Sequence, residues 1–191
     1  MIKRLIPSFI LLVLLLASVF IAKKYFNQPE IPKLYPVADF EFTSQQGTVF
    51  SNLNFYTKIS VVDFIFTKCP GICPVMTNKM SELYQEYADE NMVQFVSFSV
   101  DPARDSLQAL VNYALKWHVN DQRWYFLRTE KDKIQNLYEQ GFKLGGELPY
   151  GHSGAFVLVD HNGIIRGYYD HSNNEELELL RRDIEVLLDE I

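Results

Sequence analysis

The stretch Ile59-Ser60-Val61-Val62-Asp63-Phe64-Ile65-Phe66-Thr67-Lys68-Cys69-Pro70-Gly71-Ile72-Cys73-Pro74 decides how the rest of the chain is read. Ile59 to Phe66 is rich in β-branched and aromatic residues and nearly continuous in apolar character, the pattern of a central strand buried on both faces. Both cysteines of the chain follow at its C-terminal end. A tight turn carries Cys69, and a helix starts around Cys73 and Pro74. A helix N-terminus presents free N–H groups and a partial positive charge, and both favour thiolate over thiol. With three residues between them, the cysteines lie near one another on the face of a first helical turn. Their sulfurs can meet one ion or each other.

Outward from this stretch, strands and helices alternate. Upstream, Phe40 to Phe50 is a β-hairpin pattern with Gly47 in the turn. Downstream, Pro74 to Asp89 has helical spacing at Met76, Met80, Leu83, Tyr84 and Tyr87. Met92 to Val100 reads as a strand, Asp105 to His118 as a helix, Trp124 to Leu127 as a short strand, and Glu130 to Glu139 as a helix. Gly141 to Gly151 is a glycine-rich loop. Gly154 to Asp160 and Ile164 to Tyr169 form a hairpin across His161-Asn162-Gly163, and Asn174 to Ile191 closes the chain as a helix. This order predicts an α/β fold, a central mixed β-sheet flanked by helices on both faces. In such sheets the functional site lies outside the carboxyl ends of central strands, which is where Cys69 and Cys73 fall.

The N-terminus carries a second signal. Lys3 and Arg4 precede an uninterrupted apolar run from Leu5 to Ala22, and Lys23 and Lys24 follow it. At ~1.5 Å per residue a helix over this run spans about 27 Å, close to the hydrocarbon thickness of a bilayer. A cleaved signal peptide is the rival reading, but bulky Val19, Phe20 and Ile21 occupy positions where cleavage wants small residues. Residues 1–24 are therefore expected to be an uncleaved membrane anchor with basic flanks. Residues 25–36, with Pro29, Pro32 and Pro36, read as an extended linker, and residues 37–191 as one domain. The short basic N-terminus stays cytoplasmic on this reading, and the domain faces the other side.

The chain has 191 residues, 48% hydrophobic and 22% charged, with a formal net charge of −6. It folds rather than staying disordered. No basic stretch lies outside the membrane flanks, so nucleic-acid binding has no electrostatic footprint. Two adjacent cysteines do not make a disulfide scaffold. They suit redox chemistry or a soft metal far better than the packing role of two small core residues. Thioredoxin-type oxidoreductases usually leave two residues between their cysteines, not three. Among metals, structural zinc wants four ligands and an iron–sulfur cluster more cysteines, whereas Cu(I) is content with three. A third ligand is then sought among four histidines. His152 follows the glycine-rich loop and precedes a strand, and a loop just before it would let a ligand approach and withdraw. His118 at a helix end, His161 in a turn and His171 beside Asp170 at the surface read better as ordinary structural residues. Asp105 or Ser106 is expected to cap the following helix, and Arg104 to pair locally. Asp101 is open between that and a supporting role near the ligands.

The run Phe64 to Pro74 closely resembles the signature of the Sco/SenC family. Val100-Asp101-Pro102-Ala103-Arg104-Asp105, Trp124-Tyr125-Phe126-Leu127 and His152-Ser153 resemble its later motifs, in the family's order and over the whole chain after the linker. The resemblance implies a thioredoxin-like fold and one copper ion, Cu(I) or Cu(II), held by Cys69, Cys73 and His152. It also implies a metallochaperone role in assembling the dinuclear copper site of cytochrome c oxidase. The implied partners are the oxidase's copper-binding subunit and a thioredoxin-like reductant. The implied setting is a single-pass anchor in a bacterial cytoplasmic membrane, with the domain facing the periplasm or cell exterior. The alternative is an enzyme, a membrane-anchored thiol–disulfide oxidoreductase with a redox-active pair at Cys69 and Cys73. Two features depart from the family's pattern: the segment before His152 is shorter than in many members, and Gly151 stands where an acidic residue often precedes the histidine.

Overall fold

The computed structural model describes Leu15, Leu16, Ser18, residues 30–119 and residues 121–191. Apart from Leu15, Leu16 and Ser18, the expected anchor, 1–24, lies outside the described residues. Among those described, no helix is long and apolar enough to cross a membrane. Residues 32–191 form one compact unit.

Its centre is the strand that the sequence marks. β1 (Tyr35–Pro36), β2 (Glu41–Ser44), β3 (Val49–Ser51) and β4 (Ile59–Ile65) are followed by α1 (Cys73–Glu86), β5 (Val93–Ser99), α2 (Leu107–Lys116) and β6 (Trp124–Arg128). Then come α3 (Lys131–Asn136), a wide π-type turn over Leu137–Gly141, β7 (Ala155–Val159), β8 (Ile164–Asp170) and α4 (Asn174–Leu188). All eight strands join one sheet in the order β1-β8-β7-β4-β5-β6-β2-β3. β4, β5 and β6 run parallel, and β7, β8, β2 and β3 add antiparallel neighbours, so the sheet is mixed as expected.

Every residue of β4 and β5 is buried. Successive side chains point to opposite faces, so both faces of the sheet's centre are covered. The core is strongly aromatic. Phe64 stacks on Phe98 at 5.2 Å, Phe98 meets Phe40 and Phe42 edge-on, and Trp124 stacks on Phe126. Burying each such ring is worth roughly 1.5–3 kcal/mol. The hairpin of β2 and β3 contributes Phe42 and Phe50 to this core and attaches to the sheet through β6. Tyr35 and Pro36, the last residues of the expected linker, pair with Ile165 and Ile164. Pro36 is tolerated because β1 is an edge strand.

The helices keep their expected places with two local differences. α2 starts at Leu107, because Ser106 Oγ accepts from Ala109 N–H and caps it. The helix expected over Glu130 to Glu139 is regular only to Asn136. Phe142 N–H then donates to the Leu137 carbonyl across the wide turn.

Candidate metal centre

The two cysteines hang from the end of β4. Cys69 N–H donates to the Phe66 carbonyl at 3.2 Å, which closes the turn leaving the strand. Cys73 is the first residue of α1, with Pro74 just inside the helix, where a missing N–H costs nothing. Both thiols are free, Cys73 buried and Cys69 partly accessible. His152 arrives three residues before β7, the antiparallel neighbour of β4 in the sheet, and is itself buried. Its Nε2 lies 3.2 Å from Cys73 Sγ. Cys69 Sγ, Cys73 Sγ and a His152 ring nitrogen all lie within 4.8 Å of one another. Ligand bonds of ~2.0–2.3 Å allow donors on one ion to stand up to ~4.6 Å apart, so the triplet is close to the size that holds one transition-metal ion.

The ring of His152 has a defined tautomer. The Ser153 carbonyl, which can only accept, lies 3.0 Å from Nδ1, so Nδ1 carries the proton. The Nε2 lone pair then faces the Cys73 sulfur. Burial lowers the imidazole's pKa and outweighs the opposing effect of the hydrogen bond to the Ser153 carbonyl, with His171 adding a smaller push down, which favours the neutral, metal-binding ring. The Phe66 ring meets it edge-on at 5.9 Å and shields it from water.

Burial outweighs the helix end at Cys73. Desolvation pushes its thiol pKa well up, and the neighbouring Cys69 thiol raises it further. The helix start alone predicts the opposite direction. The thiol keeps its proton until something displaces it, and a soft cation is the agent that does so at neutral pH.

Asp105 does not cap α2. It is fully buried. Its carboxylate accepts from Thr67 N–H at 3.2 Å, from Thr67 Oγ1 at 2.6 Å and from Ser99 Oγ at 2.6 Å. It thus ties the exit of β4, two residues before Cys69, to the end of β5. Asp101 pairs with Arg104 at 3.2 Å, and Arg104 also donates to the Tyr150 hydroxyl at 2.7 Å. Asp101 therefore lies beside the loop bearing His152, while Arg104 keeps the local pairing expected of it.

Asp63 escapes the sequence reading altogether. It sits on β4, wholly buried, and neither carboxylate oxygen has a hydrogen-bond partner of ordinary geometry. Burial raises its pKa to about 7, against a small opposing effect from Ser97 on β5. When ionised it adds slightly to the upward push on Cys73. An aspartate inside an apolar strand was the available signal.

The other histidines stay outside the triplet. His171, expected at the surface, is largely buried, and its Nδ1 lies 2.7 Å from the Gly154 carbonyl. Its ring fills the space over Gly154, where a Cβ would lie 2.6 Å from it. His118 follows α2 with φ +57°, and His161 lies in the β7–β8 turn. Met76 and Met80 are core residues.

Comparison with known proteins agrees with this geometry. Residues 30–188 match the SCO1/SenC family model. The SCO1 protein homolog of Bacillus subtilis is 32% identical over 159 residues, covering 75% of this chain and 82% of that protein. The solved structure of BsSco, described as a member of the Sco family of cytochrome c oxidase assembly proteins with a disulfide switch, superimposes with a TM-score of 0.75. It is 29% identical, and the match covers 84% of this chain and 98% of that one. A protein of Stutzerimonas stutzeri to which copper binding is ascribed is 26% identical over 147 residues, covering 72% of this chain and 71% of that protein. The mixed sheet, the flanking helices and this match over most of the chain show that the protein belongs to the SCO1/SenC family.

Proposed function

We propose that the chain is a copper metallochaperone in which Cys69, Cys73 and His152 bind one copper ion as cargo and pass it to the dinuclear copper site of cytochrome c oxidase. The observation that carries this reading is the convergence of two sulfurs and one neutral imidazole within 4.8 Å, from elements 79 residues apart in sequence. Two thiolates and one imidazole suit Cu(I) and Cu(II) better than they suit a four-coordinate zinc site. The family's place in oxidase assembly and the ascribed copper binding of a relative support the cargo and the destination.

In this reading Cys73 and Cys69 release their protons as copper enters. His152 holds its Nδ1 proton against the Ser153 carbonyl and offers Nε2. The accessible Cys69 is the ligand a receiving thiolate displaces first. Residues 1–24 anchor the chain in a bacterial cytoplasmic membrane, residues 25–36 act as a tether, and the domain of residues 37–191 works in the periplasm or at the cell exterior. In that oxidising setting a thioredoxin-like reductant keeps the two thiols reduced.

The free, adjacent thiols support a second reading, a thiol–disulfide oxidoreductase. The Cys69 thiolate attacks a partner's disulfide and one partner sulfur leaves as thiolate. Cys73, losing its proton, then displaces the second, leaving a Cys69–Cys73 disulfide here and a dithiol on the partner.

Mixing the copper-loaded chain with the metal-free, reduced copper-binding domain of an oxidase subunit separates the two. The carrier reading predicts loss of copper here and growth of the dinuclear site's absorption there, abolished by His152→Ala. Reduction of an oxidised subunit by the metal-free dithiol, with His152→Ala fully active and no copper transfer, would overturn it.

A further inference from the structure

We infer that Tyr138 is a positioning residue for the metal centre, acting through Ser153 to fix the ring of His152; this rests on the reading of His152 as a ligand. The loop from Phe142 to Ser153 has no helix or strand. Nevertheless two of its residues, Gly145 and Ser153, converge on one atom. The Tyr138 hydroxyl donates to the Gly145 carbonyl at 2.7 Å and accepts from Ser153 N–H at 2.7 Å. Ser153 in turn accepts the Nδ1 proton of His152 through its carbonyl. A single hydroxyl thereby closes the loop and fixes the residue that sets the imidazole's tautomer and direction.

Three further features hold that hydroxyl in place. The Tyr138 side chain is fully buried, and its ring meets Phe64 of β4 edge-on at 5.0 Å. It is thus braced on the strand that carries the cysteines at its end. Its backbone belongs to the wide turn over Leu137–Gly141. Such turns are frequent at functional sites. The loop also curls tightly around the hydroxyl. Gly146 has φ +120°, and a Cβ there would run into the Gly151 carbonyl oxygen and stand 3.7 Å from the Tyr138 hydroxyl. Gly151 N–H donates to the Glu147 carbonyl at 2.6 Å. Packing alone needs only the tyrosine's ring, so the hydroxyl is the part that serves the ligand.

Tyr138→Phe in the detergent-solubilised full chain tests this, with Tyr87→Phe, which loses a hydroxyl contact to the Arg181 carbonyl on α4, as control. A chelator should strip copper from Tyr138→Phe about 10- to 100-fold faster than from wild type, the usual effect of removing a group that orients a ligand. The nitrogen signature of bound Cu(II) should shift toward that of His152→Ala, and Tyr87→Phe should match wild type. Nitrogen-15 spectra of the metal-free protein supply a readout independent of copper. His152 should be one Nδ1–H tautomer in wild type and a mixture in Tyr138→Phe. An unchanged tautomer and unchanged stripping rate, even with a lowered Tm, would overturn the inference. So would rapid hydrogen exchange at Ser153 N–H in wild type, a measurement that needs no variant. Failure of wild type to hold copper at all, with the tautomer shift still present, would reject the ligand reading and leave the positioning of the ring standing.

Discussion

The two sides of the metal centre are built on different principles. The cysteine side is continuous with regular structure: β4 leads into the turn at Cys69, and α1 begins at Cys73. A buried carboxylate, Asp105, fastens that turn to β5 with two short hydrogen bonds, from Thr67 Oγ1 and Ser99 Oγ, and a longer one from Thr67 N–H. The histidine side is a loop without regular structure, anchored at its start by the buried Phe142 ring, at Gly145 and Ser153 by the Tyr138 hydroxyl, and held at its outer edge by Arg104 and Tyr150. One side resists movement and the other is held in place by a few breakable contacts. On the proposed carrier reading, this asymmetry would let one ligand withdraw without disturbing the fold.

The largest effect that would sharpen this contrast concerns Asp63. Its folded-state pKa, about 7, stands above its ordinary value of 3.8. The folded state therefore binds the proton more tightly than the unfolded one. The contribution of Asp63 to stability is fully present below pH ~4 and is lost as pH rises from there through 7. Asp63→Asn should match wild type near pH 4 and exceed it at pH 8 by on the order of 4 kcal/mol at most, read by urea unfolding. A pH-independent difference would contradict the account of Asp63 as an unpartnered buried carboxylate.

Asp105→Ala comes next. It leaves Thr67 N–H and Ser99 Oγ without their acceptor and should destabilise the protein by about 2–4 kcal/mol while also loosening metal binding. Were metal binding lost with stability intact, Asp105 would belong to the site alone and the rigid-side description would fail. The smallest effect is expected at Arg104. It is 45% exposed on its side chain, and Arg104→Ala should leave global stability nearly unchanged. Its consequence should be confined to the histidine side, seen as faster hydrogen exchange in the loop with the Cys69 turn unaffected.

The same asymmetry explains how much the sequence disclosed. β4, the cysteine turn and α1 are encoded locally, by an apolar run, a cysteine pair and helical spacing, and they stand where those patterns place them. The mixed sheet follows from the alternation of elements, and its hairpin at Glu41–Ser44 and Val49–Ser51 from a turn glycine. Asp105 was legible only as a cap candidate, because an aspartate before a helix looks the same whether it caps that helix or reaches Thr67 in the turn after β4 and Ser99 at the end of β5. His171 was misplaced at the surface because its burial depends on the absent side chain of Gly154, 17 residues away. Tyr138 gave no signal beyond an aromatic at helical spacing, since its role depends on a loop that returns from Gly145 and Ser153.

Copper titration of the reduced full chain, alongside Cys69→Ser and His152→Ala, tests the central claim most directly. One copper per chain, with binding that collapses in both variants, is the result the three-ligand carrier predicts. Absence of stoichiometric binding by the reduced wild-type chain would contradict it and leave the dithiol chemistry as the protein's function.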